Sequence, residues 1–324
     1  MARIVDEADA LDEAVELLRA GELVAVPTET VYGLAADASN GAAVARIFET
    51  KGRPRFNPLI AHVGGFDMAR AIGRFDPLSG RLAEAFWPGP LTLVVPLNLS
   101  AGIHPLVTAG LDTVALRFPR GFAASVVQRL GRPIAAPSAN SSGRITGTSA
   151  EAVEADLGAK IRLIVDAGRT PVGLESTIVR IVDGAVHLLR PGGVATCEIE
   201  RVAGAPIIQA ASGKVQAPGM LLSHYAPRAA LRLDADEVRE GEALLAFGAS
   251  RARGAARASA TRNLSPSGDL REAAANLFAF MNELDAARPD AIAVEPVPRE
   301  GLGEAINDRL ARAAAPRDNL EATS

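Results

Sequence analysis

Apolar residues recur along this chain in two rhythms, and the switches between them outline its elements. Within residues 8–20, Leu11, Val15 and Leu18 share one helical face and Gly21 supplies a C-cap. Residues 23–26 are wholly apolar and read as a buried strand. Asn40 is a good N-cap for a helix reaching about residue 50, with Val44, Ile47 and Phe48 on one side. Strand-like runs follow at 59–63, 91–96, 114–118, 133–136, 161–166, 176–182 and 186–189. Helical stretches at 78–86, 122–130 and 149–157 separate some of them. Strands interleaved with helices predict an α/β protein, a mixed twisted sheet with flanking helices, and exclude an all-β barrel or a helical bundle.

The rhythm fades over residues 203–227, where Gly, Pro, Ala and Ser dominate as in a linker. Beyond it come short strands at 231–234, 243–247 and 291–295. A helix over 269–287 is striped by Leu270, Ala274, Leu277, Phe278, Met281 and Leu284. A second, smaller α/β domain fits this pattern. The full length of 324 residues also exceeds what a single core usually spans. Arg251, Arg253, Arg257 and Arg262, set among alanines and glycine, read as a solvated loop.

Composition narrows the function classes. Hydrophobic residues make up 48% of the chain, enough for globular packing, and the apolar run at 91–97 is far too short to span a bilayer. The opening Met-Ala-Arg-Ile-Val-Asp-Glu has the character of neither a signal nor a transit peptide, so no membrane contact and a cytoplasmic location are expected. Cys197 is the single cysteine; it excludes an intrachain disulfide and is expected to serve packing. Lys plus Arg number 34 against 38 Asp plus Glu, a net charge of -4 that argues against non-specific binding to a phosphate backbone as the main role.

The chain has neither a G-x-x-x-x-G-K-[ST] string nor a G-x-G-x-x-G after a strand, so any nucleotide must be held by other groups. Lys51 and Arg53 end a predicted helix before Pro54, which would project two cations from a stiff point into a loop, suited to separate oxygens of a triphosphate. The bland alternative is pairing with the helix C-terminal dipole. Ser138, Asn140, Ser141, Ser142 and Gly143 follow a strand and precede a helix, offering hydroxyls and N–H groups to an anion. Arg117, at a strand end before Pro119, suits a carboxylate. Glu29 and Glu175 sit beside hydroxyl residues and invite a general-base reading. We reject it, because no Ser-His-Asp, Cys-His or paired-carboxylate set is legible and the histidines at 62, 104, 187 and 224 lack metal-ligand spacing. No metal-binding residues are assigned. Catalysis by orientation and charge stabilisation remains.

Three strings occur in order: Pro27-Thr28-Glu29-Thr30-Val31-Tyr32-Gly33-Leu34, then Lys51-Gly52-Arg53-Pro54 with Asn57-Pro58-Leu59, then Pro137-Ser138-Ala139-Asn140-Ser141-Ser142-Gly143. With Ala217-Pro218-Gly219-Met220 and His224-Tyr225-Ala226-Pro227, they make the chain resemble the YrdC-type L-threonylcarbamoyladenylate synthases in their long, two-domain form. The resemblance implies a YrdC-like catalytic domain over 1–204, an interdomain linker or lid over 205–228, and a small Rossmann-like domain over 229–324. It implies a reaction of L-threonine, bicarbonate and ATP, used with magnesium and no organic cofactor, that gives threonylcarbamoyl-AMP and diphosphate. The product would pass to a downstream tRNA threonylcarbamoyl transferase complex for tRNAs reading codons that begin with A; direct tRNA contact is left open. Carried over residue by residue, Thr30, His62, Arg117, Ala136 and Ser176 would contact threonine. Lys51, Arg53, Asn57, Thr113, Ser138, Thr146, Arg190 and Tyr225 would contact the nucleotide, Lys51 and Arg53 as the catalytic pair.

The linker is expected to close as a lid with Tyr225 on the nucleotide; docking of Tyr225 onto the second domain is the other reading. The family often carries Lys or Arg where this chain has Leu221, Leu222 and Ser223. An RNA-binding module is one alternative for the whole chain. The other is the carbamoyl transfer of hydrogenase-maturation proteins, whose cysteine-based zinc finger a single cysteine excludes.

Overall fold

The computed structural model describes residues 1–98, 100–209 and 224–316. The string at 217–220 and the departure at 221–223 lie outside the described residues. Two units result: Met1–Ser142 with Thr146–Met220, and Gly143–Ile145 with Leu221–Ser324.

The first unit opens with β1 (Arg3–Asp6), α1 (Glu7–Arg19), β2 (Val24–Val26), β3 (Gly33–Asp37) and α2 (Gly41–Lys51). It continues through β4 (Ile60–His62), α3 (Phe66–Ile72), α4 (Pro77–Phe86), β5 (Leu91–Pro96), α5 (Pro105–Thr108) and β6 (Thr113–Arg117). Then come α6 (Phe122–Leu130), β7 (Ile134–Ala135), α7 (Ala150–Leu157), β8 (Leu163–Asp166), β9 (Thr177–Val182), β10 (Ala185–Arg190), α8 (Thr196–Ala203) and β11 (Ile208–Gln209). Local chemistry sets the boundaries. Asn40 Oδ1 accepts the N–H groups of Ala42 and Ala43 at 3.1 Å, and Gly52, in the left-handed region at φ 60°, ends the helix that Asn40 starts.

Among the described residues the strands form one mixed sheet in the order β1-β8-β2-β3-β7-β4-β6-β5-β9-β10-β11. Alternation along each strand sorts its side chains onto two faces. One face is covered throughout: Leu34, Leu59, Ala61, Leu91, Leu93, Leu116, Ile164, Val179 and Leu188 join Val44, Ile47, Phe48, Leu82 and Ile199 of the helices in the main core. The other face is divided. Over β8, β2, β3 and β7 it packs against α1 and α6, through residues such as Val15, Leu18, Val126 and Val127. Over β4, β6, β5, β9 and β10, Ile60, Val94, Ala115, Ile178 and Leu189 form a cluster of their own, built from strands without a helical member.

The second unit holds β12 (Ala230–Arg232), β13 (Ala243–Ala246), β14 (Thr261–Asn263), α9 (Leu270–Ala286), β15 (Ala291–Val294) and α10 (Leu302–Ala314). Its sheet, β12-β15-β13-β14, is parallel throughout. The expected stripe of α9 is buried at Ala274, Leu277, Phe278, Met281 and Leu284.

Two expectations change and one is refined. The arginines of the 251–262 stretch are exposed as expected, but the stretch carries a 3-10 turn, Ala255–Arg257, and leads into β14, where Arg262 pairs with Glu283 at 2.5 Å. Cys197 is exposed on α8, so it does not serve packing; the buried residue of that helix is Ile199. Lys51 ends its helix as expected but turns inward and is buried, instead of reaching into an open loop.

Candidate active site

The half-face whose cluster has no helical member is where the proposed amino-acid contacts gather. β4 and β6 are parallel, with His62 directly opposite Arg117 and Ile60 opposite Ala115. Since Ile60 and Ala115 form the apolar floor, His62, Thr113 and Arg117 stand on the same face by alternation. Thr92 of β5 shares it beside Val94, and Ser176 enters just before Ile178 of β9; their hydroxyl oxygens lie 2.7 Å apart. Thr113 and Arg117 are separated by the length of β6, about 13 Å. One small group cannot touch both, whereas an amino acid joined to a nucleotide is long enough.

The loop 27–32 carries the acidic member. Thr28 Oγ1 accepts the N–H groups of Thr30 at 3.1 Å and Val31 at 3.2 Å, a local turn that also brings the Thr30 hydroxyl to 2.8 Å. Tyr32 anchors the loop's far end: its hydroxyl donates to Gly168 O at 2.9 Å and accepts from Ala167 N–H at 3.2 Å. Burial pushes the Tyr32 phenol up to about 12, so it stays a donor. Glu29, held between these anchors, sets Oε2 at 2.8 Å from Arg117 Nη2 and accepts the Arg120 N–H at 3.1 Å. Arg117 Nε donates to Gly89 O at 3.2 Å. Burial, and then the neighbouring Arg117 charge, hold His62 well below its ordinary value, so this imidazole is neutral.

The serine-rich turn is built from below and from the side. Lys51 Nζ donates to Ser138 O at 2.6 Å and to Asn140 O, while Lys51 O accepts the Ser142 N–H at 2.7 Å. Ser141 donates both its N–H and its hydroxyl to Asp156 of α7, each at 2.6 Å. Burial, and then the neighbouring Arg53 charge, lower the Lys51 amine to about 7. A neutral amine keeps two N–H donors, enough for both carbonyls. Arg53 donates to Asn57 O at 3.4 Å and Pro58 O at 3.0 Å, fixing the segment that enters β4.

Ser176 is positioned by the end of β10. Arg190 Nη2 donates to Ser176 O at 2.8 Å and to Ser176 Oγ at 3.3 Å. Gly192 allows this approach, since a Cβ there would stand 2.3 Å from Glu175 O. Ala136, beyond β7, donates its N–H to Ile60 O at 3.2 Å.

Tyr225 belongs to the second unit. There its ring stacks on Phe278 at 5.3 Å with the Arg309 guanidinium 5.2 Å from its centroid, and its φ of 65° is unusual for a residue with a side chain.

Buried polar atoms are nearly always bonded. Among the described residues, several without a hydrogen-bond partner fall on residues that the sequence put forward: Asn57 Oδ1, His62 Nδ1, Arg117 Nη2 and Thr146 Oγ1. Glu29 Oε1 joins them, whereas Glu154 Oε2 and Thr170 Oγ1 lie outside that set. Arg117 Nη2 meets Glu29 as an ion contact without an aligned hydrogen bond, so it keeps donor capacity. No group of three or more His, Cys, Asp or Glu suited to a metal occurs among the described residues.

Residues 16–192 match the family described as telomere recombination, and residues 194–315 match the C-terminal domain of threonylcarbamoyl-AMP synthase. The threonylcarbamoyl-AMP synthase of Pyrococcus abyssi is 41% identical over 320 residues, covering 94% of each chain. The chain belongs to the threonylcarbamoyl-AMP synthase family. The Bacillus subtilis member is 39% identical over 323 residues, covering 94% of this chain and 93% of its own. A crystal structure of P. abyssi Sua5 complexed with L-threonine superposes with a TM-score of 0.87 at 36% identity, over 97% of this chain and 98% of that one. Like its synthase relatives, the chain is an enzyme of the nucleotidyltransferase type.

The sequence analysis named Glu29 but rejected a general-base role for want of a legible partner set; its partner Arg117 is distant in sequence and is brought to it by the fold. No helix among the described residues is long and apolar enough to cross a membrane.

Proposed function

We propose that this synthase-family enzyme joins L-threonine, bicarbonate and ATP to give threonylcarbamoyl-AMP and diphosphate. The observation that carries the reading is the set of unpartnered buried polar atoms on Asn57, His62, Arg117 and Thr146, three of these residues on strands or loops around one apolar half-face. Arg117 takes the threonine carboxylate, while Thr30, His62, Ala136 and Ser176 orient the amine and hydroxyl. Lys51 and Arg53 meet the phosphates, magnesium arriving with ATP as part of that substrate. Asn57, Thr113, Ser138, Thr146 and Arg190 hold the rest of the nucleotide.

The chemistry follows from this placement. The threonine amine takes up the carbon donor to form a carbamate, and a carbamate oxygen then attacks the α-phosphorus as diphosphate leaves. Both steps join bound substrates, so holding them in line is the main contribution of the protein. We propose further that the enzyme works in the cytoplasm and that its product goes to a tRNA threonylcarbamoyl transferase complex.

The test is diphosphate release from ATP with magnesium and bicarbonate, with and without L-threonine. Release that requires threonine and is lost in Arg117→Ala supports the reading. Absence of release with every amino acid tried overturns it and favours an RNA-binding module.

A further inference from the structure

We infer that Glu29 is a substrate-binding residue that takes the ammonium group of the amino acid, so that the Arg117–Glu29 pair reads both ends of a zwitterion. The inference rests on the threonine reading of this site and reverses the rejection of Glu29 as a proton acceptor, because folding supplies the partner, Arg117, that the local sequence lacks.

Glu29 is buried, its side chain 8% exposed, beside an Arg117 side chain 4% exposed. A carboxylate in such a place is stable when its oxygens are bonded. Oε2 is: Arg117 Nη2 lies at 2.8 Å and the Arg120 N–H at 3.1 Å. Oε1 has no donor and is sealed from water. An ionised carboxylate only accepts, so Oε1 calls for a donor that the described residues do not provide. Arg117 shows the mirror image, with Nη2 lacking an aligned acceptor. The pair thus presents a spare acceptor beside a spare donor, and an α-amino acid presents an ammonium beside a carboxylate. Carboxylate on Arg117 and ammonium on Glu29 satisfy both.

The same contact has a chemical use. When the ammonium becomes a carbamate with bicarbonate as donor, the nitrogen loses two protons and gains one N–C bond. One proton leaves with the departing hydroxide as water; the other needs an acceptor, and Glu29 Oε1 is the carboxylate oxygen in contact. Ammonium, bicarbonate and the Glu29 carboxylate become carbamate, water and the Glu29 carboxylic acid, with charge and atoms balanced.

Calorimetric binding of L-threonine and of 3-hydroxybutyrate, which keeps the carboxylate and the hydroxyl but lacks the amine, separates the alternatives. For wild type, 3-hydroxybutyrate should bind about tenfold or more weakly than threonine, the scale of one charge-assisted hydrogen bond. In Glu29→Gln, threonine should lose a similar factor, while 3-hydroxybutyrate binds as well as before or better because a repelling charge is gone. Equal weakening of both ligands in Glu29→Gln overturns the inference, since Glu29 would then act only through Arg117. So does equal binding of the two ligands to wild type, a measurement that needs no variant to fold. Threonine-dependent diphosphate release by wild type with either of these outcomes leaves the proposed function standing and removes this inference alone. Absence of both release and threonine binding overturns the two together.

Discussion

Two arginine–glutamate pairs in this molecule use the same groups to opposite ends. In the second unit, Arg232 Nε and Nη2 meet Glu242 Oε1 and Oε2 at 2.9 and 2.5 Å in a bidentate fork. Glu242 Oε2 also accepts the Arg239 N–H at 2.8 Å, and Arg232 Nη2 donates to Glu237 O at 2.7 Å. Those hydrogen bonds hold the Glu242 carboxyl below its ordinary value and raise the Arg232 guanidinium. In the first unit, Arg117 and Glu29 touch at one point and leave a donor and an acceptor over. A pair whose hydrogen-bonding capacity is used up belongs to the architecture. A buried pair with capacity left is a costly way to stabilise a fold and a good way to bind something.

The largest effect that tests this contrast is on turnover. Arg117→Ala should cut threonine-dependent diphosphate release by about a hundredfold or more, the scale for losing a substrate-positioning group, while Arg232→Ala leaves release near the wild-type rate. The reverse result would break the comparison. Next in size is stability: Arg232→Ala should cost about 2 kcal/mol in denaturant unfolding, because it strands a buried Glu242. Because the folded-state value of Glu242 lies below its ordinary 4.5, this stabilisation is fully present above pH 4.5 and is lost as pH falls through the depressed value. Glu242→Gln should therefore flatten the acid limb of the stability curve.

A smaller effect concerns Lys51. Its amine is lowered to about 7 from 10.5, so burial costs stability below pH 7, and that cost fades as pH rises from about 7 toward the unfolded-state value. Phosphates would draw the proton back. Binding of ATP should take up a proton, read from calorimetry in buffers of different ionisation enthalpy, and should weaken by at most about tenfold per pH unit above 7. Binding without proton uptake would show that Lys51 is already charged or does not meet the phosphates. The smallest effect is expected of Cys197→Ser, which should shift stability by less than about 0.5 kcal/mol because the thiol is exposed.

Most strands were legible because they are dense apolar runs: 91–96 coincides with β5, and Asn40 marks the start of α2 through its own side chain. β3 was missed because Gly33–Asp37 is made of small residues inside a string read for its chemistry. α10 was missed because its buried face includes Arg309, which a hydrophobic stripe does not reveal. In the site, residue types were readable but register was not. That His62 faces Arg117 follows from strand pairing, and that Lys51 folds back on Ser138 and Asn140 follows from burial; neither leaves a mark on local sequence. Glu29 was visible and set aside, since its partner became a neighbour only through folding.

The pairing of β1 with β8 joins Arg3–Asp6 to a strand that begins only at Leu163, and the apolar floor needs Leu189. On a ribosome adding about 5–20 residues per second, the N-terminal strand would wait roughly 8–30 s for its partner to appear. Until then Val5 and the inner faces of β2 and β3 have no completed sheet to join. Birth of this enzyme is therefore paced by translation, and the interval is one in which a chaperone would find the chain with its edges open.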